Sequence, residues 1–327
     1  MQYADVVAKI RSRLAEFGKD CRKIGICAIL TGASLVAQPM IIRDPENHAG
    51  LPTFHTQSVL VLVPTTVVDR HGNFVTGLGR DAFTITDDGI AREIRAFSED
   101  DAPVSVGIVF DLSGSMKGVL SQAKESLRAL TAEANPDDET FLNAVSTRPR
   151  PFWGFTDEPG DSVNRIFAEG AGGSTALIDA IASSLVYLRK GRNERKALVI
   201  ISDGMDNHSR YSREELMRLA IESYAQIYAI ALCTAPACSK PVEMSSFRNG
   251  ESLLSELASR TGGISYSVRG WQDLSRAAAS IMRVLHNQYN IGFEPRDAHA
   301  SGKWHRIKIT VAGAGMRAYA RRGYRLK

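Results

Sequence analysis

From Val104 onward, short apolar runs alternate with amphipathic stretches of helical length, and this alternation constrains the fold more than any other feature of the chain. The runs are Val104–Phe110, Phe141–Val145, Ala197–Ile201, Ile227–Leu232 and Ile264–Val268. Strands that are apolar without a polar alternate are buried on both faces, which is the condition of a parallel sheet covered by helices on either side. The intervening segments near Val119–Ala132, Ala176–Leu188, Arg213–Ser223, Leu253–Ser259 and Leu274–Gln288 supply those helices. Chain order therefore predicts an α/β, doubly wound, mostly parallel, Rossmann-like sheet over residues 103–286, with its ligand site beyond the carboxyl ends of the strands.

On either side of this region the period changes. Val59–Val68, Phe83–Thr86 and Ala91–Phe97 read as strands separated by turns at Asp69–Asn73 and Asp87–Gly89, and Tyr289–Phe293 and Trp304–Val311 revert to β alternation. So few strands do not stand alone. The expectation is one smaller, discontinuous, all-β sandwich-like domain built from residues 56–100 and 288–327. Trp153, Trp271 and Trp304 fall in separate segments and are expected in cores. The basic ending, with Arg317, Arg321, Arg322, Arg325 and Lys327, reads as a solvated strand face, with docking to an acidic surface, phosphate or lipid headgroup as the alternative.

The opening segment follows another logic. Residues 1–23 carry Lys9, Arg11, Arg13, Lys19, Arg22 and Lys23 ahead of an uncharged run from Ile24 to Ala37 that ends in small residues. This reads as a secretory signal, residues 1–37, followed by a polar, proline-containing linker over residues 38–55. The uncharged run is short for a bilayer span, which takes about 20 residues, so a retained anchor is the weaker reading and no stable membrane span is expected once the leader is removed. The mature protein would be periplasmic, cell-surface or secreted. Of the net charge of +4, the leader accounts for about +3, which leaves the remainder near neutral and argues against a nucleic-acid partner. Cys233 and Cys238 are the cysteines left outside the leader, and an exported location would let them pair or stay as two thiols.

The chemistry concentrates where apolar runs end. The first gives way at once to Asp111, Ser113 and Ser115 at alternating positions, with Gly114 letting the backbone curl between the serines. The run Ala197–Ile201 ends in Ser202, Asp203 and Gly204, and a third loop, Gly172–Thr175, offers the Thr175 hydroxyl. Helix capping would account for any one of these alone but not for the set. Carboxylates and hydroxyls without Cys or His favour a hard divalent cation, Mg²⁺ first and Mn²⁺ or Ca²⁺ as substitutes. Asp179 and Asp206 lie near the site in sequence but are read as helix and loop carboxylates outside the ligand set, and His208 as a solvated loop histidine. The seven histidines are scattered without zinc-ligand spacing. Neither motif serine sits in a Gly-x-Ser-x-Gly elbow, and no Gly-x-x-x-x-Gly-Lys loop follows a strand, so an enzyme is not expected.

Asp111-x-Ser113-x-Ser115, Thr175 and the Asp203-Gly204 pair together resemble the three-loop metal-ion-dependent adhesion site of von Willebrand factor type A domains. The resemblance implies that Ser113 and Ser115 hold the ion directly, Thr175 directly or through water, and Asp111 and Asp203 often through water. It also implies that a partner's Asp or Glu completes the coordination. The flanks, a β stretch at Val67–Leu78 and the ending Arg321–Tyr324, are similar to those of bacterial von Willebrand factor A-related proteins that carry a signal peptide. The function so implied is an exported, divalent-cation-dependent, adhesion-type module that recognises an acidic side chain on a protein or matrix partner. One alternative is a structural or assembly factor of the bacterial envelope in which the metal only rigidifies three loops. A hydrolase using the ion to activate water is the remaining one.

Overall fold

The computed structural model describes residues 60–114, 120–132, 134–145, 154–157, 160, 163–164, 172–233, 241–269, 271–295 and 302–326. The expected leader and linker, Ser115, Trp153 and Cys238 lie outside these residues, as does the side chain of Trp271. Among the described residues no helix is long and apolar enough to cross a membrane.

The chain opens with β1 (Val61–Val68), β2 (Phe83–Asp87), β3 (Ile90–Arg92) and β4 (Ile94–Asp100). The alternating unit follows: β5 (Val104–Asp111), α1 (Leu120–Ala132), β6 (Glu139–Val145), α2 (Leu177–Leu188), β7 (Arg195–Ser202), α3 (Arg213–Glu222), β8 (Gln226–Leu232), α4 (Pro241–Thr261), β9 (Ser265–Val268) and α5 (Trp271–His286). It closes with β10 (Gln288–Phe293), β11 (Trp304–Val311), β12 (Arg317–Ala320) and β13 (Gly323–Arg325).

The five central strands pair in parallel in the order β6-β5-β7-β8-β9, the α/β doubly wound architecture expected from the apolar runs. Side chains alternate between the two faces with period two. Val106, Ile108 and Phe110 of β5 and Val199 and Ile201 of β7 join one core with Leu127 of α1 and Leu274, Ile281 and Leu285 of α5. Val109 of β5 and Leu198 and Ile200 of β7 face the opposite core, which they share with Ile181 and Leu185 of α2, Leu216 of α3 and Leu254 of α4.

Helix α4 starts at Pro241, twelve residues before the expected Leu253. Its first half, with Ser245, Ser246, Asn249 and Gly250, has poor helix propensity and was for that reason not legible. Tertiary packing overrides the propensity here, since Phe247 is buried in the core shared with α2 and α3. Cys233, just past β8, is disulfide-bonded, with its partner outside the described residues.

The flanking strands form two antiparallel sheets, β12-β1-β10-β4 and β13-β11-β2-β3. Both contribute to one core containing Val63, Phe83, Ile85, Tyr289, Ile291, Phe293, Ile307 and Tyr324. The strand that leads into the parallel sheet, β4, pairs directly with the strand that leaves it, β10, with Asp100 opposite Gln288. Entry and exit of the α/β unit are therefore adjacent.

The ending is not a solvated face throughout. Arg321 lies over the Tyr224 ring at 4.0 Å and donates Nε–H to the Gly323 carbonyl at 2.8 Å. Burial holds its guanidinium down to about 10. Arg322 donates to the Ser259 hydroxyl, and the Tyr224 hydroxyl donates to the Arg325 carbonyl at 2.7 Å. These contacts fasten the tail to the turn between α3 and β8 and to α4, a long-range outcome that composition does not reveal. Trp304, expected in a core, is 38% exposed on β11 and covers Gly323, where an added Cβ would come within 2.3 Å of the indole.

At the junction between the two units, His286 ends α5 with Nδ1 2.6 Å from Asp101 and Nε2 3.2 Å from Asp138. Burial opposes the imidazolium, but the two carboxylates outweigh it and hold the His286 pKa above its ordinary value. Burial likewise opposes ionisation of Asp138, and its bonds to His286 and to the Val104 and Asn135 amides win, holding its carboxyl below the usual range. The His286 contribution to stability is then fully present below about pH 6.5 and lost as pH rises through the raised value. The Asp138 contribution is present above about pH 4 and lost in acid. Urea unfolding of wild type and His286→Gln from pH 5 to pH 9 is expected to show the largest difference at the acid end, shrinking with pH; a constant difference would contradict the assignment.

Candidate functional site

The ends of β5 and β7 are neighbours at the point where the sheet's connections diverge to opposite faces, the place where such sheets open a crevice. Asp111 is the last residue of β5 and Ser202 the last of β7. The Asp111 Oδ1 accepts the Ser113 amide at 2.8 Å, which turns the chain back over the strand end, and its Oδ2 accepts the Ser202 hydroxyl at 2.6 Å. Ser202 Oγ also accepts the Gly204 amide at 2.9 Å. One serine hydroxyl thus links the Asp111 loop to the Asp203 loop.

The backbone completes the join. The Leu112 amide donates to the Val145 carbonyl at 2.7 Å, and its own carbonyl accepts the Gly172 amide at 2.8 Å. The Thr175 amide donates to Asn207 Oδ1 at 2.9 Å, while the Thr175 carbonyl accepts the Asn207 and His208 amides, both at 3.0 Å. Asp203 Oδ1 accepts the Met205 amide at 3.0 Å. The loop that begins at Asp203 is therefore clipped to the loop that ends at Thr175.

Asp206 and Asp179 act in that clip. Asp206 Oδ1 accepts the Ile178 amide at 3.1 Å and the Ser209 hydroxyl at 2.5 Å, capping the start of α2 from another loop. Asp179 Oδ1 accepts the Arg210 and Tyr211 amides at 2.9 and 3.0 Å. His208 is exposed. Gly204, at φ +77°, lies backbone to backbone against Gly250 of α4, where a Cβ on Gly250 would come within 2.2 Å of the Gly204 carbonyl oxygen. Only glycine permits that approach.

Of the five expected ligands, Asp111, Ser113, Thr175 and Asp203 come to one end of the sheet, and Ser115 lies outside the described residues. Asp111 and Asp203 are 0% exposed, Ser113 2% and Thr175 4%. Burial, then the Asp203 charge, push the Asp111 carboxyl up to about 6 against the lowering effect of the Ser202 and Ser113 hydrogen bonds. Two carboxylates held this way, away from water, are costly unless a cation compensates them. Oxygen donors without sulfur or imidazole fit a divalent cation of the hard class. Such an ion would be held by the hydroxyls of Ser113 and Thr175 and the carboxylates of Asp111 and Asp203, and it would attract an anionic oxygen from outside.

Sequence reasoning missed Ser202 and Asn207, whose roles are to bridge loops. The only signal for Ser202 was its place beside Asp203 at a strand end. Nothing in the local sequence pointed to Asn207, because its partner is 32 residues away.

Among curated proteins, an uncharacterized protein of Borreliella burgdorferi is 24% identical over 191 residues, or 51% of this chain. The chain spans about half of that relative, 54% of its length. A von Willebrand factor type A protein from Catenulispora acidiphila superposes with a TM-score of 0.44 at 13% identity, over 84% of this chain and 74% of that one. Proximal thread matrix protein 1 from the mussel byssus, in a form with zinc in its metal-ion-dependent adhesion site, gives a TM-score of 0.48 at 16% identity, over 61% and 50% of the two chains. Residues 106–205, which run from β5 through the Asp203 loop, match the family profile of the von Willebrand factor type A domain. The α/β unit of this chain is a von Willebrand factor type A domain.

Proposed function

We propose that the protein is an exported binding module, not an enzyme, that captures an acidic side chain of a protein or matrix partner through a divalent cation, Mg²⁺ by preference. The observation that carries this reading is the pair of buried carboxylates, Asp111 and Asp203, at adjacent strand ends, with Ser113 bonded to Asp111 and the Thr175 loop clipped to the loop that begins at Asp203. An ion held by two carboxylates and neutral hydroxyls retains an appetite for one more anionic oxygen, and a partner's Glu or Asp supplies it. The loops are cross-linked by hydrogen bonds from three stretches of chain, so the site is preorganised and little ordering entropy opposes capture.

The test compares capture of envelope proteins by the immobilised full chain in Mg²⁺ and in EDTA, with Asp111→Ala as the control. Capture of the same partner that needs both Mg²⁺ and Asp111 is the expected result. A partner retained equally in EDTA and by Asp111→Ala overturns the metal bridge.

The near-complete burial of Asp111, Ser113, Thr175 and Asp203 favours one other reading, in which the ion rigidifies the loops and the β-domain of an envelope assembly factor makes the contact. On that reading Asp203→Ala leaves association intact.

A further inference from the structure

A second cluster of metal-ligating side chains lies in the β-domain. Asp87 is the last residue of β2, and Asp88 and Gly89 turn the chain into β3 with φ of +49° and +83°, the hairpin-turn conformation that Asp-Gly adopts. The turn folds across onto β11. The Asp88 amide donates to the Arg306 carbonyl at 2.8 Å, and Asp88 Oδ1 accepts the Arg306 amide at 2.8 Å. This leaves Asp88 Oδ2 3.1 Å from His305 Nδ1, with Asp87 Oδ1 3.8 Å from the same nitrogen. One ligand atom from each of the three residues falls within 4.8 Å of the others.

An ordinary His–Asp ion pair accounts for Asp88 but not for Asp87. The side chains of Asp87 and His305 are 2% and 3% exposed, and Asp87 Oδ1 is buried with no hydrogen-bond partner. At 3.8 Å the imidazole is beyond hydrogen-bond reach of that oxygen. Leaving a buried carboxylate oxygen bare is costly, and Asp87 Oδ2 is already directed elsewhere, accepting the Tyr324 hydroxyl at 3.2 Å with Arg92 Nε at 3.7 Å. Metal–ligand bonds of about 2.0–2.2 Å in a tetrahedral site place neighbouring donors roughly 3.4 Å apart. The 3.1 Å and 3.8 Å separations lie on either side of that value, so side-chain shifts of less than about 1 Å complete the geometry. Two carboxylates balance a divalent charge, and a neutral imidazole adds a borderline donor that the type A site lacks.

We propose that Asp87, Asp88 and His305 form a second divalent-metal site, of the zinc class, that clamps the β2–β3 turn onto β11. One nitrogen and two oxygens select Zn²⁺, with Mn²⁺ and Co²⁺ as substitutes, over Mg²⁺. The site is closed by Tyr324, whose ring stacks on His305 at 5.1 Å, and its role is to lock the sandwich. The histidine spacing hid it, because His305 stands 217 residues from Asp88 in the chain.

The experiment uses Co²⁺ as the probe, titrated into the chelator-stripped full chain carrying Asp111→Ala, so that the type A site does not contribute. Visible absorption that saturates at one equivalent, and that disappears on adding either His305→Gln or Asp88→Asn, is the expected result. Asp88→Asn guards against a folding defect, since Asp88 is 43% exposed and Asn tolerates its backbone conformation. Circular dichroism confirms that each protein is folded. Absorption that is absent from the Asp111→Ala protein, or that survives both further substitutions, overturns the proposal.

Discussion

Replacing Asp111 with asparagine is expected to stabilise the metal-free protein at neutral pH while abolishing its response to Mg²⁺. The carboxyl of Asp111 stands at about 6, where an ordinary aspartate titrates near 3.8, because it is buried and faces Asp203. A carboxyl raised on folding contributes its stability below the unfolded value and loses it as pH climbs through the folded one. At pH 7.5 the metal-free fold therefore carries the cost of an ionised, buried Asp111. The rise from 3.8 to about 6 corresponds to about 3 kcal/mol, and asparagine removes up to that amount. It keeps the shape, and its carbonyl still accepts the Ser113 amide. Wild type in saturating Mg²⁺ should recover or exceed the stability that the variant has without metal. Chemical unfolding of both proteins, with EDTA and with Mg²⁺, checks this; a variant less stable than wild type in EDTA at pH 7.5 would show that the two carboxylates are not in conflict.

Gly250→Ala is the second large expected effect. Its Cβ would come within 2.2 Å of the Gly204 carbonyl oxygen and 2.3 Å of the Gly204 carbonyl carbon, both backbone atoms that no rotamer can move. Overpacking of this kind costs about 1–3 kcal/mol. The strain falls on the loop that carries Asp203, so the stability loss should be accompanied by weaker Mg²⁺ binding, of order tenfold or more for about 1.4 kcal/mol transmitted to the ligand set. Ser245→Ala, at an exposed position of the same helix, is the control. Calorimetric titration of Mg²⁺ decides the matter, and unchanged affinity in a destabilised Gly250→Ala protein would mean that α4 does not set the Asp203 loop.

These two residues show where the sequence was informative and where it was not. Asp111 was legible because it stands at the end of an apolar run, and a parallel sheet delivers such ends to one edge. The same logic placed Asp203 and, with the glycine loop, Thr175. The sheet itself was legible because burial on both faces leaves Val106, Ile108, Phe110 and Val109 no polar alternates. Gly250 was not legible. It sits in a run of weak helix formers whose helicity comes from the packing of Phe247 and from the close approach to Gly204, and both depend on residues far away in the chain. Arg321 and Trp304 failed for the same reason from opposite sides. Local composition makes an arginine look solvated and a tryptophan look buried, whereas Tyr224 draws the first inward and the outward face of β11 leaves the second half open.

Because α5 leads directly into β10, and Arg195 donates to both the Leu285 carbonyl and Gln288 Oε1, the end of α5 and the start of β10 share a part-buried polar junction. Gln288 itself donates to the Tyr228 hydroxyl at 2.8 Å, tying β10 to the centre of the parallel sheet.

The most direct measurement is an anomalous difference map from crystals of the full chain grown in Mn²⁺. A peak enclosed by the Ser113 and Thr175 hydroxyls and the Asp111 and Asp203 carboxylates is the predicted result. Well-ordered loops with no density at that position, at a Mn²⁺ concentration that alters solution stability, would contradict the account.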